Sequence, residues 1–120
     1  MEKWLDDYLL SRKGAKKGFQ ADWQAHRYLL KNKMFAMHGG DKEGKEILTV
    51  KLTPAHCEEL RELYPGKVTA GYYMNKTHWV SIYLEENLPE EVLRKCVDEA
   101  YELILGSFSK KVQAEILQEK

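Results

Sequence analysis

Between residues 22 and 52 apolar side chains recur at every second position, and the runs are separated only by short polar breaks. Trp23, Ala25 and Leu29 alternate with Gln24, His26 and Tyr28. Lys31-Asn32-Lys33 then supplies a turn, residues 34–38 resume the alternation, and beyond a charged loop at 39–46 Leu48, Val50 and Leu52 alternate with Ile47, Thr49 and Lys51. Period two marks a strand with two unlike faces. Parallel neighbours need a crossover of about a dozen residues or more, usually helical, and none fits here, so these three strands must be antiparallel.

Helical periodicity flanks this block. Trp4, Leu5, Tyr8 and Leu9 form one stripe over residues 2–12, followed by a basic connector at 11–18 that carries Lys13, Lys16 and Lys17 around Gly14. Thr53 and Pro54 have the signature of an N-cap and first helical position, and Tyr64-Pro65-Gly66 ends that helix. Two further strands are expected at 68–72 and 78–84, with Asn75-Lys76-Thr77 as a hairpin tip between aromatic flanks. Val80, Ile82 and Leu84 should face the core, and Trp79, Ser81 and Tyr83 the other side. The last long helix starts at Pro89, carries Val92, Leu93, Cys96, Val97, Ala100, Leu103 and Ile104 on one stripe and ends near Gly106. The expected fold is therefore α+β, a mainly antiparallel five-stranded sheet with helices on one face in the order α-β3-α-β2-α. Residues 1–120 read as one domain, with a weakly amphipathic C-terminal tail at 107–120 of helical period.

Composition narrows the function. Charged residues make up 32% and hydrophobic ones 43%, an ordinary globular balance. No apolar run approaches the roughly 20 residues of a membrane-spanning helix, and the acidic N-terminal segment is unlike a signal peptide, so a cytoplasmic location and no membrane partner are expected. Cys57 and Cys96 fall on apolar helix positions and read as buried free thiols. No spacing suggests a metal or cofactor site. If Asn32 centres its hairpin, His26 and His38 stand opposite each other, and Gln24 and Tyr28 share their face, while Trp23, Leu29, Phe35 and Met37 share the core face. The 19 basic and 19 acidic residues cancel, yet residues 1–51 carry 11 Lys/Arg against 7 Asp/Glu, and residues 85–120 carry 5 against 9. A nucleic-acid surface would have to be a local patch.

Several segments resemble the MmcQ/YjbR family of small bacterial proteins: Lys33-Met34-Phe35-Ala36, Leu48-Thr49-Val50-Lys51, Leu63-Tyr64-Pro65-Gly66, Met74-Asn75-Lys76 with His78-Trp79, and Ala100-Tyr101 through Lys110-Lys111. The resemblance implies a CyaY-like, secretion-chaperone-like α+β fold and DNA binding through a "double wing" of two hairpins flanking the duplex. Thr77 stands where family members often carry Arg. CyaY-type iron binding needs an acidic ridge, for which the first helix offers only Glu2, Asp6 and Asp7, so iron is not carried over.

Two functions follow as expectations. In the first, a double-stranded DNA partner is held at hairpin tips by Lys31, Lys33, Lys76 and His78, with Trp79 packing nearby. In the second, an aromatic open sheet face with Tyr28, Trp79 and Tyr83 binds a protein partner or a second copy of the chain, unless the first helix or the tail covers it. Catalysis is not expected, because His78 is the best acid–base candidate and no nucleophile motif accompanies it.

Overall fold

A computed structural model describes residues 1–118 of the chain. Its elements are α1 (Lys3–Leu10), β1 (Ala15–Gln20), β2 (Ala25–Leu30), β3 (Lys33–Gly40), β4 (Glu46–Lys51), α2 (Pro54–Leu63), β5 (Val68–Ala70), β6 (Trp79–Tyr83), α3 (Glu90–Gly106) and α4 (Lys110–Gln118). The strands form one sheet in the order β1-β2-β3-β4-β6-β5, antiparallel at every pairing.

The α+β architecture matches the expectation, with six strands in place of five. The additional one is β1, which the sequence reads as a basic loop. Its Lys16, Lys17 and Gly18 have little intrinsic strand preference; what makes it a strand is a full ladder to β2, from Ala15 opposite Leu30 to Gln20 opposite Ala25. Lysines on such an edge discourage pairing with other chains.

All four helices pack on one sheet face. Leu5 and Leu9 of α1, Cys57 and Leu60 of α2, Leu93 to Leu105 of α3 and Ile116 of α4 share one core with Tyr28, Phe35, Leu48, Val50, Val80 and Ile82. The tail at 107–120 thus contains a docked helix, whose Ile116 is buried. Cys57 and Cys96 are buried free thiols, and burial pushes the Cys96 thiol up to about 12.

The β2–β3 hairpin inverts the face assignment drawn from the sequence for His26, Tyr28, Leu29, Met37 and His38, while Phe35 lies in the core as expected. His26 does stand opposite His38, but these two and Tyr28 face the helices, while Arg27, Leu29 and Met37 face the other way. A bulge between Tyr28 and Leu29 adds Phe35 as an extra residue on β3, so Phe35 and Ala36 both enter the core. Tyr28 can be buried because its hydroxyl has a partner: it donates to Asp6 Oδ1 at 2.6 Å.

Two carboxylates fasten α1 to the sheet. Asp6 also accepts from Lys17 Nζ at 2.9 Å. Burial raises its pKa, but the bonds from Tyr28 and Lys17 outweigh burial and hold it below the usual range. Glu46 behaves alike: burial opposes ionisation, and the Met1 ammonium and His38 more than compensate. Carboxyls depressed in the folded state stabilise it fully above their unfolded pKa values of about 4, and this contribution disappears as pH falls through the lower folded values. Urea unfolding at a series of pH values between neutrality and strong acid should therefore show stability falling with acid, and D6N should flatten that slope.

Candidate functional site

Sheet register decides which parts of the chain can act together. β3 leaves the β2–β3 turn, β4 returns beside it with Val50 opposite Ala36, and β6 sets Trp79 opposite Lys51. The tip at Lys31-Asn32, the end of β4 and the part of the β5–β6 connection at 71–78 that carries Lys76 and His78 thus lie at one end of the sheet, although Lys31 and Lys76 are 45 positions apart. The start of β1 joins them, because Lys16 pairs with Leu29. At the opposite end Asp41, Glu43, Glu85 and Glu86, with Lys45, line a shallow cleft. The molecule therefore has a lysine-bearing end and a carboxylate-rich end.

The candidate side chains differ in their surroundings. Lys31 adopts a left-handed φ of 55° in the two-residue turn and is exposed. Lys33 is exposed too, but its Nζ donates to Ser107 Oγ at 3.0 Å and lies 4.6 Å from the centre of the Phe108 ring, which ties this tip to the α3–α4 junction. Lys76 and His78 are exposed on the β5–β6 connection. Bonds within the connection and from α2 hold it: Asn75 Oδ1 accepts from the Thr77 and His78 amides, and Arg61 Nη1 of α2 donates to the Lys76 carbonyl at 2.9 Å.

The β5–β6 connection also corrects the picture of a protruding aromatic hairpin. β5 ends at Ala70, and the chain then crosses the sheet face that the helices leave free. The Tyr72 amide donates to Ser81 Oγ at 2.8 Å, and Ser81 Oγ shares a buried 2.7 Å bond with Thr49 Oγ1. Tyr73, with a left-handed φ of 67°, stacks on Trp23 at 5.7 Å and an interplanar angle of 8°. Trp23 sits in the turn between β1 and β2, so this ring pair joins opposite margins of the sheet. The chain itself, rather than α1 or the tail, straps the face.

The aromatic surface expected from alternation is consequently absent as a flat plate. Tyr28 lies on the helical side with 0% exposure, and Trp79, correctly assigned to the opposite side, is only 7% exposed beneath the connection. Tyr83 faces that side too, and its hydroxyl donates to Asp41 Oδ2 at 2.8 Å. This bond, followed by burial, raises the Tyr83 pKa. Trp79 cannot stack on a nucleic-acid base from this position.

Residues that the sequence reading did not single out belong to the same face. Arg27 occupies its middle row, opposite Gly18 on one side and Met37 on the other. Its Nε is buried without a hydrogen-bond partner. A signal existed in the sequence, since Arg27 is the one charged residue inside an otherwise uncharged strand. Among the described residues no group of three or more His, Cys, Asp or Glu side chains could hold a metal, and no helix is long and apolar enough to cross a membrane.

Known proteins resemble the chain in sequence and in fold. A family model described as YjbR matches residues 10–103. The uncharacterised protein YjbR of Escherichia coli (strain K12) is 29% identical over 98 residues, covering 82% of this chain and 81% of the relative. The uncharacterised protein YyaQ of Bacillus subtilis (strain 168) is 33% identical over 66 residues, 54% of each chain. A crystal structure of a Deinococcus radiodurans protein superposes with a TM-score of 0.81 at 27% identity, covering 93% of this chain and 84% of that one. A Pseudomonas syringae protein shares the fold at a TM-score of 0.64 and 20% identity, over 86% of this chain and 98% of that one. With the family's match running from the end of α1 through most of α3, the chain belongs to the YjbR family.

Proposed function

We propose that the chain is a DNA-binding module that meets the phosphate backbone with the lysine-bearing end of its sheet, and that it binds without catalysing a reaction. The observation that carries this reading is the register, which gathers the Lys31 and Lys33 tip and the Lys76 and His78 connection at one end. Lysines at such positions suit charge neutralisation and carry no base-sequence information. The carboxylates at the opposite end favour one orientation, since a duplex approaching them would be repelled. A zero net charge is compatible with this arrangement because screening confines each patch to a Debye length of about 8 Å at physiological salt. A cytoplasmic location accords with such a partner.

Fluorescence anisotropy with a labelled duplex provides the test. Affinity should be of the non-specific class, with a dissociation constant between about 10⁻⁴ and 10⁻⁶ M, and should fall steeply between about 50 and 200 mM salt. Replacing Lys31, Lys33 and Lys76 together by glutamine should reduce the slope of log affinity against log salt by about 0.9 for each phosphate that is no longer neutralised. Absence of binding at tens of micromolar protein, or binding indifferent to salt, would remove the reading.

A further inference from the structure

We infer that the strapped sheet face holds an oxyanion site centred on Arg27, whose ligand is a phosphate group. The first observation is the state of Arg27 itself. A guanidinium is permanently charged, and a buried polar atom of a charged group is costly when unpaired. Arg27 Nε is the only such side-chain nitrogen or oxygen atom among the described residues, and Arg27 has no carboxylate within ion-pair distance there.

The second observation is the charge of the surface around it. Reading the register across the sheet, Lys16 stands diagonal to Arg27 on β1, and Lys51 lies on the same side two strands away on β4. Strands are about 4.8 Å apart, so Lys16 is a diagonal neighbour at about 7–8 Å while Lys51, two strands and two residues removed, lies about 12 Å away between Cα atoms; extended arginine and lysine side chains can span these separations to one tetrahedral anion. No strand position facing this side carries Asp or Glu. Asp41, beyond the strand ends, is occupied by the Tyr83 hydroxyl.

The third observation is access. Gly18, directly opposite Arg27, has no side chain to cover that flank, and the nearest atom a Cβ there would meet is Leu29 Cδ1 at 3.7 Å. That flank is therefore the open one, from which an anion would approach the terminal Nη atoms of Arg27, Nε itself being buried. The planar fork of Arg27 would make two parallel bonds to phosphate oxygens, and the two lysines would add point charges. This inference does not rest on duplex binding, because a free phosphate ester and a backbone phosphate present the same oxygens.

The test is a titration of isotopically labelled protein with inorganic phosphate at low ionic strength, following the Arg27 Nε–Hε resonance and the Gly18 amide by NMR. Both should shift saturably at millimolar phosphate. Arg27→Gln should weaken phosphate binding by about tenfold or more, the scale of one lost charge-assisted bond. Lys51→Gln, at a partly exposed position that leaves the core untouched, should weaken it several-fold and shows the effect even if the Arg27 variant folds poorly. Shifts that stay linear with phosphate, or a Lys51→Gln protein that saturates like the unmutated one, would overturn the site. The source of the phosphate is then read from duplex anisotropy with the Lys51→Gln protein: weakened binding assigns the site to the nucleic-acid backbone, and unchanged binding assigns it to a free phosphate ester. If the unmutated protein fails to bind duplex while inorganic phosphate still saturates, the DNA reading falls and the Arg27 site stands.

Discussion

Phe35→Ala is expected to cost about 3–5 kcal/mol, the range for deleting a buried phenyl group that its surroundings cannot fill. Phe35 has no exposed surface and packs edge-on against Tyr101, with ring centres 5.9 Å apart at 88°. The bulge fixes this arrangement, since it turns Phe35 and Ala36 inward together, and no neighbouring strand residue can move in to compensate. Tyr101 is also the residue whose hydroxyl donates to the Lys13 carbonyl at 2.8 Å, holding the entry to β1. Against a typical total of about 5–15 kcal/mol, the loss takes a large share of the stability. Urea denaturation should show a lower midpoint with an unchanged slope. A loss below about 1 kcal/mol would mean that the bulge does not hold Phe35 in the core.

Gly71→Ala is expected to destabilise by about 1–3 kcal/mol by overpacking. The φ of Gly71 is not left-handed, so conformational freedom is not the issue; space is. A Cβ at this position would fall 2.6 Å from Trp79 Cβ and 3.1 Å from the Trp79 carbonyl carbon and oxygen. The pair is also locked by the Gly71 amide, which donates to the Trp79 carbonyl at 3.0 Å. Two backbones that close cannot separate without breaking the bond that anchors the start of the β5–β6 connection. The substitution should therefore release Trp79 to water as well as lower the unfolding midpoint. A red-shifted tryptophan emission in the folded baseline, relative to the unmutated protein, would report it. Full stability with unchanged emission would contradict the close approach.

The helices were legible because their signals are local. Thr53 and Pro54 open α2 as expected, with the His56 amide donating to Thr53 Oγ1, and the stripe from Leu93 to Ile104 is the buried side of α3. The antiparallel order was legible for the same reason, since short breaks leave no alternative. What escaped was set by partners distant in sequence. β1 has no strand signal apart from its ladder to β2. Tyr28 alternates with polar residues and looks solvent-facing until Asp6 of α1 supplies an acceptor. A single extra residue at Phe35 then reverses the face of everything beyond it, an error that period-two reasoning cannot detect from within the strand. The diagonal path of residues 71–78 depends on Ser81 and Trp23, and neither carries a motif. Of the candidate site, Lys31, Lys33, Lys76 and His78 were found as exposed groups because turns show in sequence. Arg27 was passed over because its importance lies in the absence of a counter-ion, which only the assembled sheet reveals.

The stack of Trp23 on Tyr73 has a consequence for how the molecule meets others of its kind. A six-stranded open sheet offers two unpaired margins, each a template on which another chain could polymerise. Here one margin is a lysine-bearing strand and the other is only three residues long. The ring pair ties the connections beside these margins to each other across the sheet. The two margins stay unpaired, but a lysine-bearing edge and a three-residue edge, held by connections that the ring pair fixes in place, offer little template for fibrous growth.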